Sequence, residues 1–409
     1  MATTPQGPRG KVREIDVGAM PTRRDGRARL TVAMALAVGI PGCGGASSPS
    51  SPGPAATAAP PVTRVFASNL EWIDTFTMST GGALSAGSRL TPTRGILPST
   101  VVSGAGTRLY LSNLVGVEGF RIDPDTGGIS PLPGSPFSTE RGGLIHDPLD
   151  RFVWQRRTGG IQAFRIEASG QLLPSGPLAA VSPFLSWTTV ETRGGFAYSL
   201  DSGQLAAYRV EATGTLTPLG GSPVPLPREG VNPTDLCAGT GAAATLLFLV
   251  SQGDGIQGSS ILVYRIDPAS GLPQPAFLQP VLGDHVADGL VTSPSGGFLY
   301  ASYRNRLSTD DRPAVVTVFA VDGATGRLTE TATVAAGRTF FSDIAIAPDG
   351  STLFMTLEPS PFVLPLAPAD LAVFHVEGGS TLTPVAGSPY RVGPDPHTIH
   401  TFQTQPAAR

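Results

Sequence analysis

The feature that most constrains this chain is a short segment written seven times. Phe120-Arg-Ile-Asp-Pro-Asp-Thr-Gly-Gly-Ile129 returns as Phe164-Arg-Ile-Glu-Ala-Ser-Gly-Gln-Leu172 and as Tyr208-Arg-Val-Glu-Ala-Thr-Gly-Thr-Leu216. It returns again as Tyr264-Arg-Ile-Asp-Pro-Ala-Ser-Gly-Leu272, Phe319-Ala-Val-Asp-Gly-Ala-Thr-Gly-Arg-Leu328 and Phe374-His-Val-Glu-Gly-Gly-Ser-Thr-Leu382. A degenerate first copy is Phe76-Thr-Met-Ser-Thr-Gly-Gly-Ala-Leu84. The aromatic anchors stand 44, 44, 44, 56, 55 and 55 residues apart. Aromatic, polar, β-branched and acidic residues alternate with period two, which buries one face of a strand and wets the other. The acid then opens a turn, and Thr/Ser-Gly supplies side-chain hydrogen bonds and tolerance of positive φ. Each copy therefore reads as a β-hairpin.

A second pattern precedes each hairpin: a β-rich segment, a Pro/Gly turn and a strand ending in an aromatic. Ile344-Ala-Ile-Ala-Pro-Asp-Gly350 leads to Leu353-Phe354, and Leu290-Val-Thr-Ser-Pro-Ser-Gly296 leads to Leu299-Tyr300. Four strands per unit follow, and a period of this size without helical patterning marks propeller blades. At the ends, Pro396-His-Thr-Ile-His-Thr-Phe402 matches an inner strand with no second strand after it, while Arg64-Val-Phe-Ala-Ser-Asn69 matches a second strand with no inner one before it. Together they complete one blade. The expected fold is all-β: a seven-bladed β-propeller of four-stranded antiparallel blades, its ring closed by pairing the N- and C-terminal strands, which removes exposed sheet edges.

Composition agrees. Gly 51 and Pro 40 in 409 residues suit many short strands and tight turns, and 14% charged residues is too few to wet long surface helices. Arg23, Arg24, Arg27 and Arg29 precede an apolar run of eleven, Leu30 to Ile40, then Pro41-Gly42-Cys43. This is the layout of a secretory leader, too short to span a membrane. A Cys directly after it resembles a bacterial lipobox, which implies lipidation of Cys43. The expected organisation is a leader over 1–42, a Ser/Pro/Ala-rich tether over 43–61 and the propeller over 62–409. From Cys43 onward there are 21 arginines against 28 acids and no lysine, so no nucleic-acid partner is expected. Two cysteines so far apart exclude a disulfide framework. The expected protein is a monomer, touching the membrane only through its lipid.

The hairpins and the Pro-Asp-Gly350 type turns resemble those of the lactonase-like, or 6-phosphogluconolactonase-like, seven-bladed propellers, over about residues 62–402. The resemblance implies hydrolysis of a lactone or a sugar-derived ester, by a periplasmic or cell-surface lipoprotein exported across the inner membrane. The Pro-His-x-His and Asp-Leu-Gly segments of the better-defined members are absent. The nearest fragment is Pro396-His-Thr-Ile-His400.

No Gly-x-Ser-x-Gly elbow, His-Glu-x-x-His or dinucleotide fingerprint is present, so a covalent serine and a cofactor are not expected. Inner strands of a propeller gather distant residues around one channel. Counting back from the Pro/Gly turns sets Asp343, His397, Thr234 and Ser99 at one level, with Asp288 one residue earlier. His146, Cys237 and His400 share a second level, and Glu191 and Asp147 the next. Candidate bases are His146, His397 and His400, with Glu191, Asp343 and Asp288 as carboxylate partners, because imidazole titrates near neutrality and a carboxylate orients it. The bland alternative is that these groups line a wet channel and cap strand ends, in a non-catalytic binding or scaffold propeller. His285, between Asp284 and Asp288, is too thin a set for a metal. Arg121, Arg165, Arg209 and Arg265 recur from blade to blade, which points to structural pairing with acids, not to one phosphate site.

Overall fold

A computed structural model describes residues 60–404 except 70, 93–95, 104–105, 180–187, 202, 227–232, 252–258, 281–284, 306–312, 338–339, 359–368 and 394–395. Cys43, the leader, most of the tether and Asp310-Asp311 lie outside the described residues.

Alternating strands without helical patterning leave only sheets to build with. The described residues form seven antiparallel sheets of four strands, two of which gain a short fifth strand, and one 3-10 turn at Gly241–Ala243. The inner strands are Pro396–Thr404, Ile96–Val102, Leu144–His146, Thr188–Val190, Pro233–Ala238, His285–Thr292 and Phe340–Ile346, from the first blade to the seventh. Each touches the next, and the last touches the first, so the ring is closed. In the first blade the C-terminal Pro396–Thr404 is inner strand to the N-terminal Val62–Asn69, with Phe66 opposite His400 and Arg64 opposite Phe402. Phe66 and Phe402 meet edge to face with centroids 4.8 Å apart. The N- and C-terminal strands thus close the ring as the unmatched strand fragments require.

The hairpins carry out the roles their residues suggest. Asp123 Oδ1 accepts the N–H groups of Asp125 and Thr126 and the Thr126 hydroxyl, and Asp267 does the same with Ala269 and Ser270. These donors hold both exposed carboxylates below their ordinary pKa. The turn glycines are required twice over. Gly271 and Gly379 have φ of 77° and 79°, and a β-carbon on either would run into the ring of Phe196 or Phe298 from the preceding blade.

That close approach lets neighbouring blades lock. A large aromatic stands at the same register on six second strands: Tyr110, Trp154, Tyr198, Phe248, Tyr300 and Phe354, with Phe66 in the first blade. Tyr110 Oη donates to the Gly170 carbonyl of the next blade at 2.8 Å, Trp154 Nε1 to Gly214, Tyr198 to Gly271 and Tyr300 to Gly379. Where the first blade has Phe66, Arg64 instead donates to the carbonyls of Pro124, Asp125 and Thr126. The recurring hairpin arginines divide. Arg165 pairs with Glu167 as expected, but Arg209 stacks over Phe196 and Arg265 donates to the Ala324 carbonyl.

Candidate functional site

Every inner strand is a sheet edge, so half of its backbone N–H groups face the centre of the ring and need partners. Pairing with the second strands gives a register that does not depend on turn length. Thr100, Leu144, Thr188, Leu236, Leu290, Ile344 and Ile399 occupy one level, because they lie opposite Leu111, Gln155, Ser199, Leu249, Ala301, Met355 and Ala67. One residue earlier come Ser99, Gly143, Asp235, Gly289, Asp343 and Thr398.

At this earlier level the side chains reach across to the next blade. Asp343 Oδ2 accepts the Ile399 N–H at 2.7 Å while Oδ1 accepts its own neighbour's N–H, from Ile344, at 2.9 Å. Asp235 does the same with Leu290 and Leu236, at 2.8 and 2.7 Å. Ser99 Oγ accepts the Leu144 N–H, and the Thr398 hydroxyl meets that of Thr100 at 2.8 Å. Polar residues here therefore suture blade to blade, as the bland alternative holds. Asp343 has a further property. It is half-buried, and burial pushes its carboxyl up to about 7 against the pull of its two N–H donors, with the charge of Asp235 adding to the rise. A carboxyl that exchanges protons near neutrality suits a general base.

The expected pairing of His397 with Asp343 needs correction. β-bulges at Thr234, Asp288 and His397 insert a residue, so all three fall one place before the level of Asp343. The true counterparts are Asp235 and Thr398. The side chains of His397, Asp288 and His285 lie outside the described residues.

His146 is also displaced. It lies opposite Val153, whereas His400 and Cys237 lie opposite Phe66 and Phe248, one register place earlier. His146 Nε2 meets Asp150 Oδ1 at 3.0 Å, not the adjacent Asp147. Asp150 was not anticipated, although its position four residues on, across an Asp-Pro turn, is the available signal. His400 bonds the Thr100 hydroxyl through Nε2 at 2.6 Å. Burial drags its imidazole down to about 4, opposed by the hydrogen bond with Thr100 and aided by nearby His146, so it is neutral at neutral pH.

Glu191 is not a channel residue. It begins the turn after its inner strand, buried, and accepts from Arg193 Nε at 2.8 Å and from the N–H of Gly195 at 2.9 Å. Asp147 has the same role in the preceding blade, with Arg151 Nε at 2.6 Å. Both carboxylates hold their turns. Cys237 is pushed up to about 12 by burial, so its thiol is a small core group and no nucleophile. Among the described residues, no cluster of three His, Cys, Asp or Glu side chains could hold a metal.

A closed ring of seven four-stranded blades around a polar inner ring defines a seven-bladed β-propeller. Residues 259–364 match the family model described as lactonase, 7-bladed beta-propeller. The fold is similar to a periplasmic gluconolactonase of Pseudomonas aeruginosa (TM-score 0.64, 16% identity, 85% of this chain and 100% of that one). It is similar also to putative 6-phosphogluconolactonases of Bacteroides uniformis (TM-score 0.62, 16% identity, 83% and 99% covered) and Bacteroides fragilis (TM-score 0.62, 18% identity, 83% and 98% covered). No protein of curated function matches the sequence. The chain is a lactonase-like propeller.

Proposed function

We propose that this protein hydrolyses a lactone, or a related sugar-derived ester, in its central channel. The observation that carries the reading is Asp343: a half-buried carboxyl in the inner ring, titrating at about 7 and facing the like charge of Asp235. The lactonase match over 259–364 and the gluconolactonase described for one structural neighbour support the same chemistry. Asp343 takes a proton from water as the water oxygen adds to the acyl carbon. The ring C–O bond then breaks, and the proton passes to the departing alkoxide, leaving a hydroxy acid. His146 and Asp150 are set three residues further along the inner strands, about 10 Å at the rise of a strand, too far to act on the same bond. The leader and Cys43 support export to the periplasm or the cell surface on a lipid anchor, and that structural neighbour is itself described as periplasmic. Cys43→Ala should move the protein from the membrane fraction to the soluble one.

A non-catalytic binding or scaffold role draws on the other side of the same geometry, since the oxygens of Asp235 and Asp343 already tie blades together. A panel of lactones separates the two. For a hydrolase, Asp343→Asn lowers kcat/KM by about 100-fold or more, the usual worth of a positioned base, and wild-type kcat/KM rises with pH through about 7. A wild-type protein inert on the whole panel hands the channel to the scaffold reading.

A further inference from the structure

The ring of polar side chains at the level of Asp343 has a gap in the third blade, where the residue is Gly143. The gap is filled from the neighbouring strand. Arg156 lies opposite, its N–H donating to the Gly143 carbonyl at 2.8 Å. Its guanidinium lies over the glycine: a β-carbon on Gly143 would come within 3.1 Å of Nη2 and 3.5 Å of Cζ and Nε. Any larger residue at 143 would displace it. Arg156 shares a face of its strand with Trp154, which points toward the fourth blade through its bond to Gly214. The guanidinium is half-buried, and burial lowers its pKa. It is thus a desolvated cation at the level of two carboxylates. Asp343 belongs to the seventh blade and Arg156 to the third, three blades apart, the widest separation a ring of seven permits.

We propose that Arg156 is the anion-holding residue of the channel, its guanidinium taking the acyl oxygen of the substrate while Asp343 serves water from the opposite side. This inference rests on the hydrolase reading of the channel. When water adds to the acyl carbon, the C=O electron pair moves onto that oxygen, and a fixed guanidinium stabilises the charge that appears there. When the ring C–O bond breaks, the same oxygen becomes part of the product carboxylate, which a guanidinium binds through two parallel N–H donors. The preferred ligand is the ring-opened hydroxy acid, in preference to a neutral polyol of the same shape.

Calorimetric titration with gluconate and with uncharged glucitol tests this without requiring turnover. The wild-type protein should bind gluconate at least about tenfold more tightly than glucitol, as a charge-assisted pair implies. Arg156→Gln should erase that preference and leave glucitol binding where it was, and Arg156→Lys should restore some of it. In the unmutated protein, gluconate should slow the modification of Arg156 by phenylglyoxal, read by peptide mass spectrometry, so a variant that fails to fold does not stop the test. Equal binding of the two ligands by wild type, gluconate binding unchanged in Arg156→Gln, or no protection of Arg156 would each overturn the proposal. Arg156-dependent gluconate binding without hydrolysis of any lactone would leave the anion site standing and remove only the hydrolase reading. Hydrolysis that depends on Asp343 with no gluconate preference would do the reverse.

Discussion

The hairpins at the rim and the inner strands at the axis come from the same repeat, yet they vary in opposite ways. At the rim, equivalent positions carry the same chemistry in blade after blade: Asp123, Asp267 and Asp322 open identical turns, and Tyr110, Tyr198 and Tyr300 reach the same turn glycine of the next blade. At the axis, one level holds Ser99, Gly143, Asp235, Gly289, Asp343 and Thr398. Constancy is what a repeating interface demands, because each blade must fit the next. Where strands face a shared centre that demand lapses, and residues there are free to differ. Function in such a fold is sought where the repeat stops repeating.

The comparison can be broken most severely at its one seam. The first blade alone is made from both ends of the chain, and deletion of Val62–Asn69 strips the inner strand Pro396–Thr404 of its partner. It also removes Arg64 and Phe66, which bind the second blade's turn and Phe402. The expected outcome is loss of a single cooperative thermal transition for the whole domain. Unchanged melting would show that the blades stand independently and that rim constancy has another cause.

A subtler test concerns two axial groups whose protonation pulls stability in opposite directions. His400 sits near 4 in the folded protein and 6.5 when unfolded, so the unfolded chain binds more protons between those values and stability is lost as pH falls through that window. Asp343 sits near 7 folded and 3.8 unfolded, so the folded chain binds more protons and stability is lost as pH rises from about 4 through 7. Between pH 4 and 6.5 the slopes oppose. Each substitution should unmask the other: melting temperature should fall with rising pH in His400→Gln and climb with rising pH in Asp343→Asn. Parallel profiles in the two variants would show that neither group is buried as the ring geometry requires.

How much of this was legible in the sequence follows the same division. The blades, their number and the closing pair could be read because Phe/Tyr-x-Ile/Val-Asp/Glu and Thr/Ser-Gly recur, and each of those residues does a local job. The axis could be read only by counting, and counting failed where the backbone departs from a plain strand. The bulges at Thr234 and His397 shift the level by one, and the turn after Ala238 runs through a 3-10 segment from Gly239 to Leu246, longer than its counterpart from Ser103 to Arg108. Asp235 was therefore passed over for its neighbour. Glu191 looked like a partner for histidine because a carboxylate that anchors a turn through Arg193 has the same letter as one that faces a channel. Arg156 was invisible for a different reason: it reaches the ring from a second strand, over a glycine whose significance only the packing reveals.

The smallest expected effect sharpens the comparison furthest. Tyr110, Tyr198 and Tyr300 each donate one hydroxyl hydrogen bond to a glycine carbonyl of the adjacent blade, at 2.8 Å in all three cases. Replacing any one by Phe keeps the ring and its packing, so little beyond the hydrogen bond is lost, about 1 kcal/mol each. Phe248 and Phe354 occupy the same register without a hydroxyl, which shows that the position accepts Phe. The three bonds lie at separate blade interfaces and share no partner, so their losses should add, to about 3 kcal/mol in the triple variant by urea unfolding. The axial pair should behave otherwise. Asp235 and Asp343 feel each other's charge, so Asp235→Asn and Asp343→Asn should fail to add. Additive rim locks beside a coupled axial pair would establish that the rim works as independent repeats and the axis as one site. A triple Tyr→Phe variant as stable as wild type would show that the rim is held by packing alone.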